Sequence, residues 1–492
     1  MIVTRFPPSP TGHLHIWSVR TALYNWLLAR QQGGKFIFRI EDTDTARSTR
    51  VYEQDFIEGF ERLGLDRDAG ITKETQDGVA YRQMERLDIY KERVQRLLDQ
   101  WAAYYARETT EELDAMRAAA EAARKPFVYR KPDYTDAALA LFNDEGRIPV
   151  IRLAVDPACT IPFFDAVKGE TSFEGKDIGD FVIVKGDGVP TYHLAVVVDD
   201  ITMNVTHVIR GEDHFSNTPK HILLYQAFGE TIPQYAHLPL IMNKNGKKMS
   251  KRDEGIGLTL IHQFRDAGFM PEAVLNFIAL VGRNPWTEQE IFTLDELTQI
   301  FSLERVIKSN AVYDFDRALW YNSERTKRLS DKEFVEKVKN YLYLYGGEER
   351  KMIVESMDEA YRLKFAPYIK VRLQTFWQFR MYGKYLFERV ATPAELVYRE
   401  KMGVTPELLQ EALPEVIAVL ERISVEQRNE ETIKNDLITY IAAKGYKNGQ
   451  VLRPLRAIIT GVEASPGAFE MLYVLGKEES LVRLREFTTM SN

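Results

Sequence analysis

The chain of 492 residues is 45% apolar and 28% charged, a soluble globular composition too long for one core, which predicts about three to five domains. A net charge of −7 argues against indiscriminate nucleic-acid binding, although a local basic surface suffices to contact RNA phosphates. The single cysteine, Cys159, excludes a disulfide framework and a cysteine-built zinc site; with no apolar run near the ~18 residues of a membrane span and no signal-peptide pattern at Met1–Arg5, a cytoplasmic protein is expected.

The first apolar run, Ile2 to Phe6, predicts a buried strand. Phe6-Pro7-Pro8-Ser9-Pro10-Thr11-Gly12-His13-Leu14-His15-Ile16 continues as a loop, and Val19, Leu23, Trp26 and Leu27 then recur at helical spacing. Strand, tight loop and helix start together predict a phosphate site, because N–H groups at a helix N-terminus favour anions. Taken alone, the pattern also fits an ordinary strand-to-helix turn. Phe36 to Ile40 predicts a second strand, followed by the acidic stretch Glu41 to Asp44. Ligands of open parallel sheets gather at the carboxyl ends of strands, which places Arg5, Ser9, His15 and Glu41 in one crevice.

Near Trp101 the pattern shifts. Thr109-Thr110-Glu111-Glu112 is a capping box before an alanine-rich helix that ends ahead of Pro126. Residues 106–188 read as an inserted α+β domain, closed by a strand at Asp180–Val184 and a hairpin turn at Gly186-Asp187-Gly188. Residues 189–255 resume the α/β pattern of residues 1–105, with an apolar run at Leu194–Val198 and a β-branched strand at Val205–Ile209. The turn Asn243-Lys244-Asn245-Gly246 then leads to Lys248-Met249-Ser250-Lys251-Arg252. A mixed region spans 256–322. From 323 to 492 the pattern is helical, with capping boxes at Ser330 and Ser424 and proline at a first helical position in Thr392-Pro393 and Thr405-Pro406. No apolar stripe at heptad spacing points to a dimer, so a monomer is expected.

The first loop, the stretch Arg39 to Asp44 and the lysine loop, taken in this order, resemble the signature motifs of a class I aminoacyl-tRNA synthetase, and specifically of bacterial glutamyl-tRNA synthetase. The likeness extends through Pro190-Thr191-Tyr192-His193-Leu194-Ala195, Thr206 to His214 and Leu452-Arg453-Pro454-Leu455-Arg456. It implies a Rossmann-type catalytic domain of class α/β in two halves (1–105 and 189–255), an inserted acceptor-stem-binding domain (106–188), a connecting domain (256–322) and an all-α anticodon-binding half (323–492). The implied partners are L-glutamate, ATP and tRNA(Glu), with Mg2+ arriving on the ATP.

Activation of an amino acid by ATP builds negative charge on phosphate oxygens, so the site needs preorganised donors and cations. The resemblance assigns that role to His15, Lys248 and Lys251. It puts Asp213, the backbone of Ile241 and the loop residues Met249, Ser250 and Arg252 beside the nucleotide. Glutamate carries two carboxylates and an ammonium; arginine's planar fork matches a carboxylate bidentately. Arg5 and Arg210 match the family's carboxylate-binding arginines, Glu41 its ammonium partner, and Ser9 and Tyr192 offer further polar contacts. At the anticodon end, Lys370, Arg372 and Phe376 are expected in one helix, with Lys444, Tyr446, Lys447, Arg453 and Arg456 nearby, a mixture suited to single-stranded bases. Arg372 and Arg453 are the candidate anticodon residues.

Two departures from the family pattern stand out. The cysteines of the family's zinc site are missing around Tyr104-Tyr105-Ala106-Arg107, so no zinc is expected, and His13 and His15 lack a third ligand at recognisable spacing. The family's first signature reads His-Ile-Gly where this chain has His15-Ile16-Trp17-Ser18. That glycine lets backbone lie against adenine, so an indole there either fills the nucleotide's place or turns aside into the helix packing. A working ligase, a slow one, and a paralogue that binds tRNA without charging it all remain open, as do charging of tRNA(Gln) and a related enzyme acting on another acceptor.

Overall fold

The computed structural model describes residues 1–71, 78–247, 257–347 and 358–490. The chain divides into two units, Met1–Phe264 with Pro271–Arg317, and Arg265–Met270 with Ala318–Asn492. No helix among the described residues is long and apolar enough to cross a membrane.

In the first unit, β1 (Val3–Phe6), α1 (Ile16–Gln31) and β2 (Lys35–Phe38) make a parallel strand–helix–strand unit, and α2 (Arg50–Leu63) leads to the short β3 (Ala69–Gly70). The apolar run of β1 is buried at every position because helices cover both faces of a parallel sheet. The helix α1 is buried almost all round, from Ile16 and Val19 to Leu28 and Ala29. Its return to β2 needs glycine: a Cβ at Gly34 would lie 2.2 Å from the Ile2 carbonyl oxygen, and Gly33 has φ +59°.

After α3 (Leu87–Asp99), an antiparallel sheet forms from β4 (Ala103–Ala106), β5 (Val150–Leu153) and, further on, Phe181–Val184. Between β4 and β5 lie α4 (Thr110–Ala122), which carries the expected Thr109–Glu112 capping box, and α5 (Asp136–Asp144). The hairpin β6 (Thr160–Asp165) and β7 (Gly169–Glu174) precedes β8 (Phe181–Val184). The turn after β8 closes through a bond from Lys185 N–H to the Val189 carbonyl, but its returning arm is a single bridge from Val184 to Pro190 rather than a strand.

The chain then re-enters the parallel layer through α6 (Tyr192–Thr202), β9 (His207–Gly211), α7 (Thr218–Phe228) and β10 (Gln234–Leu238). Thr206 N–H bonds the Val3 carbonyl and sets β9 beside β1. The β6–β7 hairpin, read from sequence as part of the insertion, joins this layer instead: β6 pairs parallel with β10 through Tyr235 and Asp165. Beyond β11 (Ile241–Met242) come α8 (Ile261–Asp266), α9 (Pro271–Leu280), α10 (Leu294–Gln299) and β12 (Ala311–Val312), which pairs with β11.

The second unit contains no strand among its described residues. Its main helices are α11 (Asp331–Tyr345), α12 (Glu359–Lys370), α13 (Pro406–Arg422), α14 (Glu430–Ala443), α15 (Asn448–Thr460) and α16 (Ala468–Met490), the last broken at Gly476 with φ +83°. Ser330 caps α11 with Glu333, and Thr405 caps α13 with Pro406 first in the helix, as the sequence predicts. Two helix starts differ. Ser424 accepts from Gln427 N–H, but that segment closes a single turn, and α14 starts only after Asn429, which bonds Thr432 N–H. Pro393 stands at the cap of the one-turn helix Ala394–Val397 and not inside it. Lys370, Arg372 and Phe376 do not share a helix: α12 ends at Lys370, and Phe376 N–H is drawn away to the Gly268 carbonyl.

Asp165 fastens the hairpin to the sheet. Its carboxylate accepts from the backbone of Val167, Lys168 and His237 and lies 2.6 Å from His237 Nδ1. Asp165→Ala strands these buried donors and is expected to lower stability by about 3 kcal/mol or more, read as a shift in the urea midpoint.

Candidate active site

The carboxyl ends of β1, β9 and β10 and the start of α1 surround a cleft of about 540 Å³, within the size range of small-molecule sites. Arg5, Ser9, His15, Glu41, Tyr192, Arg210, Asp213 and Ile241 all line it, so the described part of the sequence-derived site comes together in one place. Lys248, Met249, Ser250, Lys251 and Arg252 lie outside the described residues.

Beneath the cleft runs a buried ion network. Arg5 Nε donates to both oxygens of Asp200 at 3.2 Å, and Arg39 Nη1 donates to Asp200 Oδ1 at 2.8 Å. Arg39 Nη2 reaches Glu41 Oε1 at 3.2 Å. Asp199, next in the helix, takes Arg86, Gln83 and Tyr90. Burial alone would push Asp200 up, but Arg5 and Arg39 hold it below the usual carboxylate range. Glu41 is different: burial outweighs the pull of Arg39 and Arg5 and raises it to about 7. Arg5 Nη1 is buried with no hydrogen-bond partner among the described residues. The network thus presents an arginine face and a glutamate to the cleft with their positions already fixed.

The second arginine sits in a different setting. Arg210 Nε donates to His237 Nε2 at 3.0 Å, Nη2 donates to Thr218 Oγ1 at 2.9 Å, and Nη1 lies 3.1 Å from His221 Nδ1 and 3.5 Å from the Tyr192 hydroxyl. Among the described residues it has no carboxylate partner within ion-pair distance, so its charge is held by neutral groups. Burial, and after it charges that include Arg210, lower His214 to about 4 and His221 well below its ordinary value. Burial followed by Lys220 and Arg210 takes His193 to about 3. The result is a fixed cation at the cleft wall that no carboxylate of the described residues pairs with.

Trp17 is half-buried at the cleft. Its indole lies flat on the His15 imidazole, with centroids 4.1 Å apart and planes 11° apart, and remains part of the cleft wall. His15 is 6% exposed and is covered by that indole. His13 does not pair with His15 in this arrangement; it turns to Asp55 and His262. Those two come from distant segments, beyond what sequence spacing can show. In the helical unit, Arg453 and Arg372 lie close enough to Arg456 to act on it electrostatically, after burial, which lowers it most. Lys370 is tied down by Asp331 and the Leu329 carbonyl.

Sequence reasoning missed Asp199, Asp200, Arg39 as a structural partner, and the histidines around Arg210. Two adjacent carboxylates closing the apolar run Leu194–Val198 were the available signal, since such groups on a buried helix require cationic partners.

A family model for the catalytic domain of class I tRNA synthetases (E and Q) matches residues 1–320, and one for an anticodon-binding domain matches residues 333–488. The two together define a class I synthetase. The glutamate–tRNA ligases of Halalkalibacterium halodurans and Bacillus subtilis are each 39% identical, over 98% of this chain and 98% of theirs. A crystal structure of a glutamate tRNA ligase from Elizabethkingia meningosepticum in complex with its amino acid superposes with a TM-score of 0.87 at 32% identity, covering 100% of both chains. The chain belongs to the glutamate–tRNA ligase family.

The histidines give the site a pH signature. His193 and His214 bind protons more readily unfolded than folded, so stability is lost as the pH falls from about 6.5 through 4. Glu41, raised to about 7, contributes the opposite slope over part of that range, but it is a single group against several. The urea midpoint is expected to fall steadily between pH 7 and pH 4.5, and His193→Gln to flatten the slope.

Proposed function

We propose that the cleft activates L-glutamate with ATP to glutamyl-adenylate and pyrophosphate, and that the glutamyl group then passes to the 3′ end of tRNA(Glu). The observation that carries this reading is the pair of buried arginines, Arg5 and Arg210, facing one cleft together with Glu41. Two cations answer the two carboxylates of glutamate, and Glu41 answers its ammonium. An arriving ammonium lowers the cost of ionising Glu41, which burial has raised to about 7. Ser9 and the Tyr192 hydroxyl complete the polar lining.

On this reading the glutamate carboxylate attacks the α-phosphate of ATP and expels pyrophosphate. The terminal ribose hydroxyl of tRNA then attacks the glutamyl carbonyl and displaces AMP, so no protein nucleophile is needed. His15 and the loop residues Lys248 and Lys251 donate to phosphate oxygens, with Met249, Ser250 and Arg252 beside them. Asp213 and the backbone of Ile241 border the nucleotide. Glu41 and Asp213 are the only carboxylates among the described residues of the cleft wall. That donor set fits an Mg2+ that arrives on the ATP with water in its shell, and not an all-protein cage.

Residues 106–188 would bind the acceptor stem, 256–322 connect, and 323–492 read the anticodon, with Arg372 and Arg453 contacting its bases. The protein acts as a cytoplasmic monomer on this account. Trp17, stacked on His15, stands as a wall of the nucleotide's place and leaves the cleft open beside it.

Attachment of glutamate to tRNA tests the reading, with the native protein compared with Trp17→Gly at saturating and limiting ATP. Both are expected to charge tRNA, with kcat within about threefold, since a stacked wall costs little. Charging by the glycine variant alone, with tRNA binding equal in the two, would make the native chain a tRNA binder with a blocked nucleotide site.

A further inference from the structure

His13, Asp55 and His262 come from three separate segments: the first signature loop, the middle of α2 and the start of α8. One ligand atom from each lies within 4.8 Å of the other two. His13 Nδ1 is 3.3 Å from Asp55 Oδ2, and His262 Nδ1 is 3.6 Å from Asp55 Oδ1. The second distance is too long for a good hydrogen bond. Each distance is near the ~3.4 Å that separates two donors ~2.1 Å from one tetrahedral ion. Because they run to the two oxygens of Asp55, a small turn of that carboxylate would bring one oxygen to both imidazoles. The imidazoles face each other edge to face at 4.8 Å between centroids, and Tyr52 packs on the far side of His13 at 5.0 Å.

The backbone holds these donors in place. Leu14 N–H donates to Asp55 Oδ2 at 2.7 Å, and Ile261 N–H bonds the Leu14 carbonyl at 3.0 Å. Each histidine is therefore next in sequence to a residue of this clamp. The side chains are 43%, 19% and 26% exposed for His13, Asp55 and His262, open enough for an ion and its water to enter.

We propose that His13, Asp55 and His262 bind one divalent transition-metal ion of the zinc class. Two imidazoles and a carboxylate are borderline donors that suit Zn2+ or Co2+ over Mg2+ or Ca2+. Three protein ligands leave the fourth position to water, so the ion is exchangeable. Bound there, it cross-links the first signature loop to α2 and to the segment that resumes after the lysine loop. His13 also borders the cleft, but the proposal does not rest on the cleft chemistry.

The test is a Co2+ titration of the full-length, chelator-treated protein without ATP, followed by its visible absorption band and by metal content after dialysis. The expected result is one Co2+ per chain, displaced by Zn2+, with Zn2+ raising the melting temperature. His262→Ala, a residue outside the cleft wall, is expected to melt like the metal-free native protein and to weaken binding about tenfold or more. Absence of a saturable band, or equal affinity in His262→Ala, would overturn the proposal and leave a carboxylate hydrogen-bonded to His13 with the His262 imidazole beside it.

Discussion

Asp200 is the constraint on which the rest of the cleft depends. It is a buried carboxylate that, among the described residues, is compensated by the pair of guanidinium groups from Arg5 and Arg39. Those arginines lie at the ends of β1 and β2, and Asp200 lies on α6, so one side chain ties both halves of the parallel layer together. Removing it would take from Arg5 its carboxylate partner and leave Arg39 only Glu41 and Asp199 among the described residues, a loss of roughly 3–5 kcal/mol for such a buried pair. The same ties decide where Arg5 and Glu41 face the cleft. Stability and substrate geometry are here one problem, solved by one set of ion pairs.

Arg210 completes the account by contrast. Arg5 is anchored by an anion, whereas Arg210 is anchored by imidazoles, hydroxyls and the His214 carbonyl, to which Nη2 donates at 3.3 Å. Among the described residues its charge therefore has no carboxylate partner, and in a site of low dielectric a fixed cation acts strongly on an incoming carboxylate. The surrounding histidines serve only while neutral, and burial keeps them so. His237 gains its orientation from Asp165, which also fastens the β6–β7 hairpin, so a distant hairpin helps aim the arginine.

Much of this was legible in the sequence. The strands at Ile2–Phe6 and Phe36–Ile40 and the helix from Ile16 follow from apolar periodicity, and the resemblance placed Arg5, Ser9, His15, Glu41, Tyr192, Arg210, Asp213 and Ile241 in one crevice. What stayed hidden depends on contacts between distant segments. No local signal joins Asp200 to Arg5, or His13 to Asp55 and His262. The same holds for Phe376, whose backbone is claimed by Gly268 and so leaves the helix that Lys370 ends. Ser424 shows the converse: a correct cap signal that closes one turn, because capping satisfies N–H groups without supplying the packing that extends a helix. Trp17 was legible as a departure, but its flat stack on His15 depends on side-chain packing that sequence does not encode locally.

The central claim is that Arg5 and Arg210, held apart by different partners, recognise two carboxylates on one ligand. Calorimetric binding of L-glutamate and L-glutamine to the native protein tests it most directly, because the two differ only in the side-chain carboxylate. The account predicts that glutamate binds about a hundredfold more tightly, since an amide cannot answer an unneutralised cation. Equal affinity for the two amino acids would contradict it.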